Sequence, residues 1–162
     1  FDFLDAELWL KFNLDGTVDQ EKSYENLQRA ASGRCVVIPG FYGAMPDGRI
    51  RTFSRGGSDI TGSLAAAALD AEVYENWTDV SGILMADPRI VDDPLPIPEV
   101  TYDELRELSY SGANVLHEGS IFPVREKNIP LNIRNTNDPA SSFSNRKKRP
   151  AAASVSKSSP CA

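Results

Sequence analysis

Arg55-Gly56-Gly57-Ser58-Asp59 sets two successive glycines between a guanidinium and a carboxylate. Two glycines before a helix let the backbone approach a ligand closely, and the first amides of that helix face an anion with the positive end of the dipole behind them. A small carboxylate or a phosphate suits such a place. Arg55 adds a planar fork for a carboxylate, and Asp59 can accept from an ammonium group or assist a metal. An Arg and an Asp flanking one anion site fit an amino acid, which carries both charges. The competing reading of the same residues is a helix N-cap with a surface salt bridge.

One helix and one strand later comes a second polar stretch, Thr78-Asp79-Val80-Ser81-Gly82-Ile83-Leu84-Met85-Ala86-Asp87-Pro88-Arg89. Thr78 and Asp79 close a strand and Gly82 turns the chain sharply, so their polar groups can hold a ribose or phosphate at the strand's carboxyl edge. Arg89 would supply positive charge where phosphoryl transfer builds negative charge. The alternative is an ordinary Asp-Pro turn capped by Arg89. The order loop, helix, strand, loop places both polar loops at one edge of an α/β sheet, where such folds bind ligands, and the pair reads as a nucleotide kinase half-site. His117 is the single histidine, which excludes a zinc site of several imidazoles; at a helix start it reads as a capping or packing residue.

The elements that must position these loops follow from periodicity and punctuation. Residues 1–34 read as a linker into the core, with a helix over Gln20–Ala31. Cys35 to Pro39 is a short apolar run that suits a strand buried on both faces. Asp47-Gly48 predicts a small hairpin between Gly43 and Phe53. A helix is expected from Ser58 to Leu69, with Ile60, Leu64, Ala67 and Ala68 on one face, then a strand over Glu72–Trp77. Thr101 as N-cap, Glu104 as its capping-box partner and the Val100/Leu105 staple start another helix, which Gly112 ends. A further helix spans His117–Lys127, and Leu131–Arg134 alternates as a final strand.

The chain has 162 residues, 41% hydrophobic and 25% charged, which is the size and apolar content of one modest globular domain. Five of its 17 basic residues (Arg146, Lys147, Lys148, Arg149 and Lys157) lie beyond Asp138, the last acidic one, leaving 12 positive against 23 negative charges before them. An acidic body argues against a nucleic-acid partner, which needs clustered cations. Residues 140–162 are Ser/Ala/Lys-rich without an apolar period and read as a disordered tail. Its run Arg146-Lys147-Lys148-Arg149 imitates a localisation tag. Cys35 and Cys161 sit too differently for a structural disulfide, and no run reaches the roughly 20 apolar residues of a membrane span, so a cytoplasmic setting without membrane partners is expected.

Together, Arg55-Gly56-Gly57-Ser58-Asp59, Trp77-Thr78-Asp79-Val80-Ser81-Gly82, Ala86-Asp87-Pro88-Arg89, Gly112-Ala113-Asn114-Val115-Leu116-His117 and Ile133-Arg134-Asn135-Thr136 resemble, in order and spacing, the catalytic domain of the aspartokinases within the amino acid kinase superfamily. The match covers roughly residues 36–139. The resemblance implies a three-layer α/β/α sandwich with a mainly parallel sheet. It also implies ATP- and Mg2+-dependent phosphorylation of the L-aspartate β-carboxylate, the entry step to lysine, threonine and methionine, in a full-length protein that forms a homo-oligomer. By position, Phe41, Arg55, Ser58 and Asp59 would line the aspartate pocket, and Thr78, Asp79, Leu84, Arg89 and Asn114 the ATP pocket. Leu84 stands where many members have a tyrosine, and Asn114 where many have a lysine that approaches the phosphates.

The Lys-Phe-Gly-Gly-Thr-Ser segment that opens the family does not occur here, so no catalytic residue and no resident metal site is assigned. The expectation is the nucleotide-binding half of an aspartokinase (residues 35–139), truncated on its N-terminal side, ending before the regulatory domains and without turnover on its own. The rival readings are another kinase of the superfamily, acting on glutamate, a carbamate or uridylate, and a noncatalytic fragment that binds nucleotide or assembles with a partner chain.

Overall fold

The structure, a computed structural model, describes residues 1–79, 82–87, 89–110, 116–137 and 143–145. It opens with β1 (Asp2–Phe3) and a single turn, α1 (Ala6–Trp9), whose N-cap Asp5 accepts from the Glu7 amide at 3.1 Å. Next comes α2 (Gln20–Ala31), started by Asp19 accepting from the Lys22 amide at 3.1 Å. The short β2 (Val36–Val37) runs parallel to β1. A hairpin of β3 (Tyr42–Ala44) and β4 (Ile50–Thr52) closes on the expected Asp47-Gly48 turn, where Gly48 takes φ 83°. Then α3 (Gly57–Ala68) leads into β5 (Tyr74–Thr78).

The second part holds β6 (Glu99–Val100), α4 (Tyr102–Tyr110), α5 (Glu118–Glu126), β7 (Leu131–Asn135) and β8 (Phe143–Asn145). The α4 capping box forms as its residues predict: Thr101 donates its amide to Glu104 Oε2 at 2.7 Å, and the Glu104 amide donates to Thr101 Oγ1 at 3.3 Å. Its staple, Val100 and Leu105, is buried in one cluster. The expected stop at Gly112 lies outside the described residues. A four-stranded sheet has the order β5-β7-β8-β6, with β5 parallel to β7 and β8 antiparallel to β7. This is an α/β architecture, as expected, with parallel pairs β1/β2, β5/β7 and β6/β8.

Two buried clusters meet at α3. Leu64 and Ala68 pack with Leu4, Trp9, Leu10, Leu27 and Ala31, while Ala66 packs with Ile83, Ile121, Val124, Leu131 and Ile133. The run of four alanines allows this close double contact. The helix is therefore held on two sides, which fixes where its first turn stands.

Three expectations are corrected. Residues 1–34 are no linker, because Trp9, Leu10 and Leu27 are fully buried beneath α3; a short helix and a broken apolar pattern conceal burial that only tertiary packing creates. The strand expected to be buried on both faces is β2, two residues in a two-stranded sheet with Val37 53% exposed. A four-residue apolar run does not say which faces are covered. Within the expected tail, Phe143–Asn145 forms β8 between β7 and β6; backbone pairing needs no apolar period. The rest of that tail, Cys161 included, lies outside the described residues.

Candidate functional site

The first turn of α3 is built without a side-chain cap. Gly56 is the N-cap at φ 61°, ψ 21°, a left-handed conformation suited to glycine, and among the described residues no side chain caps the helix. A start without a side-chain cap leaves those amides for an anion, and the surface salt bridge of the alternative reading does not form among the described residues. Gly57 is buried because a Cβ there would meet Phe41 Cδ2 at 2.5 Å and Phe53 Cβ at 2.8 Å. Phe41 itself takes φ 83°, donates its amide to Thr61 Oγ1 at 3.1 Å and accepts at its carbonyl from Phe53. The Gly40-Phe41 loop is thus fastened to the helix start that carries Ser58 and Asp59. Ser58 and Arg55 are exposed, and Arg55 forms no ion pair with the described residues.

Asp59 faces the sheet. Its Oδ1 accepts from Asn76 Nδ2 at 3.0 Å, and its carbonyl accepts from Tyr74 Oη at 3.2 Å. Burial pushes the Tyr74 phenol up to about 12, the Asn76 bond opposing it and the nearby Asp59 charge adding to it. Two residues along β5, Thr78 ends the strand opposite Asn135 of β7. The Thr78 carbonyl accepts from the Thr136 amide at 2.8 Å and hydroxyl at 3.0 Å, while its own hydroxyl donates to Asp79 Oδ1 at 3.2 Å.

His117 is the N-cap of α5, its Nδ1 accepting from the Gly119 amide at 3.1 Å, which is the capping role read from its position. It also abuts Gly56, where a Cβ would lie 2.4 Å from the His117 Cβ. The N-termini of α3 and α5 therefore lie beside each other, next to the carboxyl ends of β5 and β7. Phe41, Arg55, Ser58, Asp59, Thr78 and Asp79 gather at this edge. Parallel α/β sheets bind ligands at such an edge.

The remaining candidates are placed differently. Leu84, 37% exposed, pairs with Pro96 in an irregular hairpin, whose turn at Arg89 and Ile90 is closed by the Ile90 amide donating to the Asp87 carbonyl at 2.9 Å. In that turn Arg89 donates from Nε to Asp87 Oδ1 at 3.0 Å and from Nη2 to Asp87 Oδ2 at 2.6 Å. This holds the Asp87 carboxyl down at about 2. No described contact joins Arg89 to Thr78 or Asp79; the turn-capping alternative is the geometry present. Asn114 lies outside the described residues. Sequence reasoning did not single out Asn76 or Tyr74, and Thr136 entered only as the last residue of the Ile133-Arg134-Asn135-Thr136 motif. Asn76 was detectable as a side-chain amide at an alternating position of β5, whereas Tyr74 carried no local signal.

The described residues contain no group of three His, Cys, Asp or Glu able to hold a metal and no helix long and apolar enough to cross a membrane. A model of the Amino acid kinase family matches residues 3–135. Aspartokinase 3 of Bacillus subtilis (strain 168) is 46% identical over 120 residues, 74% of this chain and 26% of that protein. The solved aspartate kinase of Clostridium acetobutylicum is 52% identical, with a TM-score of 0.85 over 91% of this chain and 34% of its own. E. coli aspartokinase III, solved with aspartate and ADP, is 31% identical at a TM-score of 0.80 over 92% of this chain and 36% of its own. The chain thus spans between a quarter and about a third of these relatives.

Proposed function

The chain belongs to the amino acid kinase family, and from that premise we propose that it carries the acceptor- and nucleotide-binding edge of an aspartate kinase. The observation that carries the reading is the uncapped start of α3, with Arg55, Ser58 and Asp59, set against the end of β5 that presents Thr78 and Asp79. In this reading the acceptor is L-aspartate. Arg55 and the first amides of α3 hold a carboxylate of the acceptor, Asp59 takes its ammonium group, and Phe41 closes the pocket wall. Thr78 and Asp79 take the ribose and phosphates of ATP, with Leu84, Arg89 and Asn114 along the same nucleotide. Likeness to aspartokinases, one of them solved with aspartate and ADP, favours aspartate over a glutamate, carbamate or uridylate acceptor.

The reaction joins a β-carboxylate oxygen of aspartate to the γ-phosphorus of ATP as the bond to ADP breaks, giving 4-phospho-L-aspartate. Such transfer asks for positioning and charge neutralisation more than covalent work, which is what a rigid helix start and a strand end supply. Magnesium fits this edge only as the ion that accompanies nucleotide phosphates, since it needs one or two protein carboxylates and Asp79 is exposed there. When bound it neutralises phosphate charge. The whole protein would act in the cytoplasm, as a homo-oligomer, at the entry to lysine, threonine and methionine synthesis.

Calorimetric titration with L-aspartate and with Mg-ATP tests the reading. Saturable binding of both, with aspartate lost in Arg55→Ala and Mg-ATP retained, is expected. A folded chain that binds neither overturns it.

A further inference from the structure

A sheet position that faces a helix ordinarily carries an apolar side chain. On β5 the inward residues are Tyr74, Asn76 and Thr78, and the parallel neighbours of the first two on β7 are the buried Leu131 and Ile133. Asn76 breaks that pattern. Its amide is only 8% exposed, and burying it is costly unless it is bonded. Both of its described bonds lead to one place: Nδ2 donates to Asp59 Oδ1 at 3.0 Å and to Tyr74 Oη at 3.2 Å.

Tyr74 completes the arrangement, since its hydroxyl accepts from Asn76 and donates to the Asp59 carbonyl at 3.2 Å. Room for that hydroxyl against α3 comes from Gly62, where a Cβ would lie 2.6 Å from Tyr74 Oη. Two residues of one strand therefore hold the carboxylate and the carbonyl of a single aspartate. Among the described residues, Asp59 Oδ2 has no hydrogen-bond partner. A carboxylate with one oxygen fixed and the other open presents its charge in one direction, and a fixed acceptor loses less freedom when a donor arrives.

We propose that Asn76 and Tyr74 are positioning residues that orient Asp59 so that its open oxygen meets the ammonium group of the acceptor, setting preference for an α-amino acid over the corresponding dicarboxylate. This rests on the acceptor-site reading above. The role concerns discrimination rather than general affinity. Arg55 and the helix amides serve any carboxylate, whereas Asp59 serves only a ligand that carries the ammonium.

The test compares L-aspartate with succinate, which keeps both carboxylates and lacks the amine, by calorimetry on the full chain. Asn76→Leu keeps the branching at Cγ beside Ile133 without the amide, and Tyr74→Phe removes only the hydroxyl. Each is expected to weaken aspartate binding on the order of tenfold while leaving succinate binding unchanged. A loss shared equally by both ligands, or no loss of aspartate in either variant, overturns the positioning role and leaves the acceptor site standing. If the unsubstituted, folded chain binds neither ligand, the acceptor reading fails and this inference fails with it. Asp59→Asn gives the internal reference, expected to bind the two ligands alike.

Discussion

Gly56 and His117 stand in direct opposition across the helix starts: with Gly56 at φ 61°, an added Cβ would lie 2.4 Å from the His117 Cβ. The missing side chain lets two helix N-termini share one edge. Gly56→Ala is expected to lower stability by about 1–3 kcal/mol, through the left-handed conformation and the overpacking together. Gly48→Ala is the control, with φ 83° but no atom within 4 Å of its added Cβ, and should lose only about 1 kcal/mol. Urea midpoints at unchanged slope measure both. Equal losses would show that the contact with His117 contributes nothing.

Burial of Leu27 makes the first 34 residues part of the fold rather than a lead into it. Leu27 is fully buried against Trp9, Leu10 and Leu64, so Leu27→Ala is expected to cost about 2–5 kcal/mol. Leu14→Ala, at an 84% exposed position, should change little. Chemical denaturation reads the difference; a Leu27→Ala midpoint matching that of Leu14→Ala would return this segment to a linker.

What was legible in the sequence was what local chemistry dictates. Thr101 starts a helix because its side chain accepts from the amide three residues on, and Asp47-Gly48 turns because glycine admits φ 83°. The paired glycines before Ser58 likewise announced a helix start with free amides. What stayed hidden depends on partners distant in sequence. Trp9 and Leu10 sit in a stretch without period and are buried only because α3 passes over them. Asn76 gains its meaning from Asp59, 17 residues earlier. Arg89 was read both as a phosphate ligand and as the cap of its own turn, and only the structure shows its side chain engaged with Asp87.

Alkaline stability should report the buried phenol at the site. In the fold, burial raises Tyr74 to about 12, against 10 for an ordinary tyrosine, so the folded state favours the neutral form. That contribution is complete below about pH 10 and is lost as pH rises through about 12, since the unfolded chain ionises first. Tyr74→Phe cannot ionise, so its urea midpoint should fall less between these values than that of the unsubstituted chain. Parallel slopes for the two proteins would rule out Tyr74 as a source of the alkaline loss.

The Asp87–Arg89 pair sets the opposite pH limb and tests whether Arg89 also serves the proposed nucleotide site. Hydrogen bonds from the Arg89 side chain hold Asp87 at about 2, so whatever the pair contributes to the turn is present above about pH 4 and lost as pH falls through about 2. Both groups are open to solvent, and the overall unfolding midpoint should scarcely change when the pair is removed. The measurement is therefore local: carbon-detected titration of the Asp87 carboxyl, expected near 2 in the chain and higher in Arg89→Ala, where only the backbone amide of residue 89 still donates to it. Repeating it with Mg-ATP present decides the functional question. Nε and Nη2 already serve Asp87, so a phosphate that recruits the guanidinium must draw donors away and let the Asp87 carboxyl rise, whereas an unmoved titration alongside saturable binding would show that Arg89 caps its turn and leaves the phosphates to other groups.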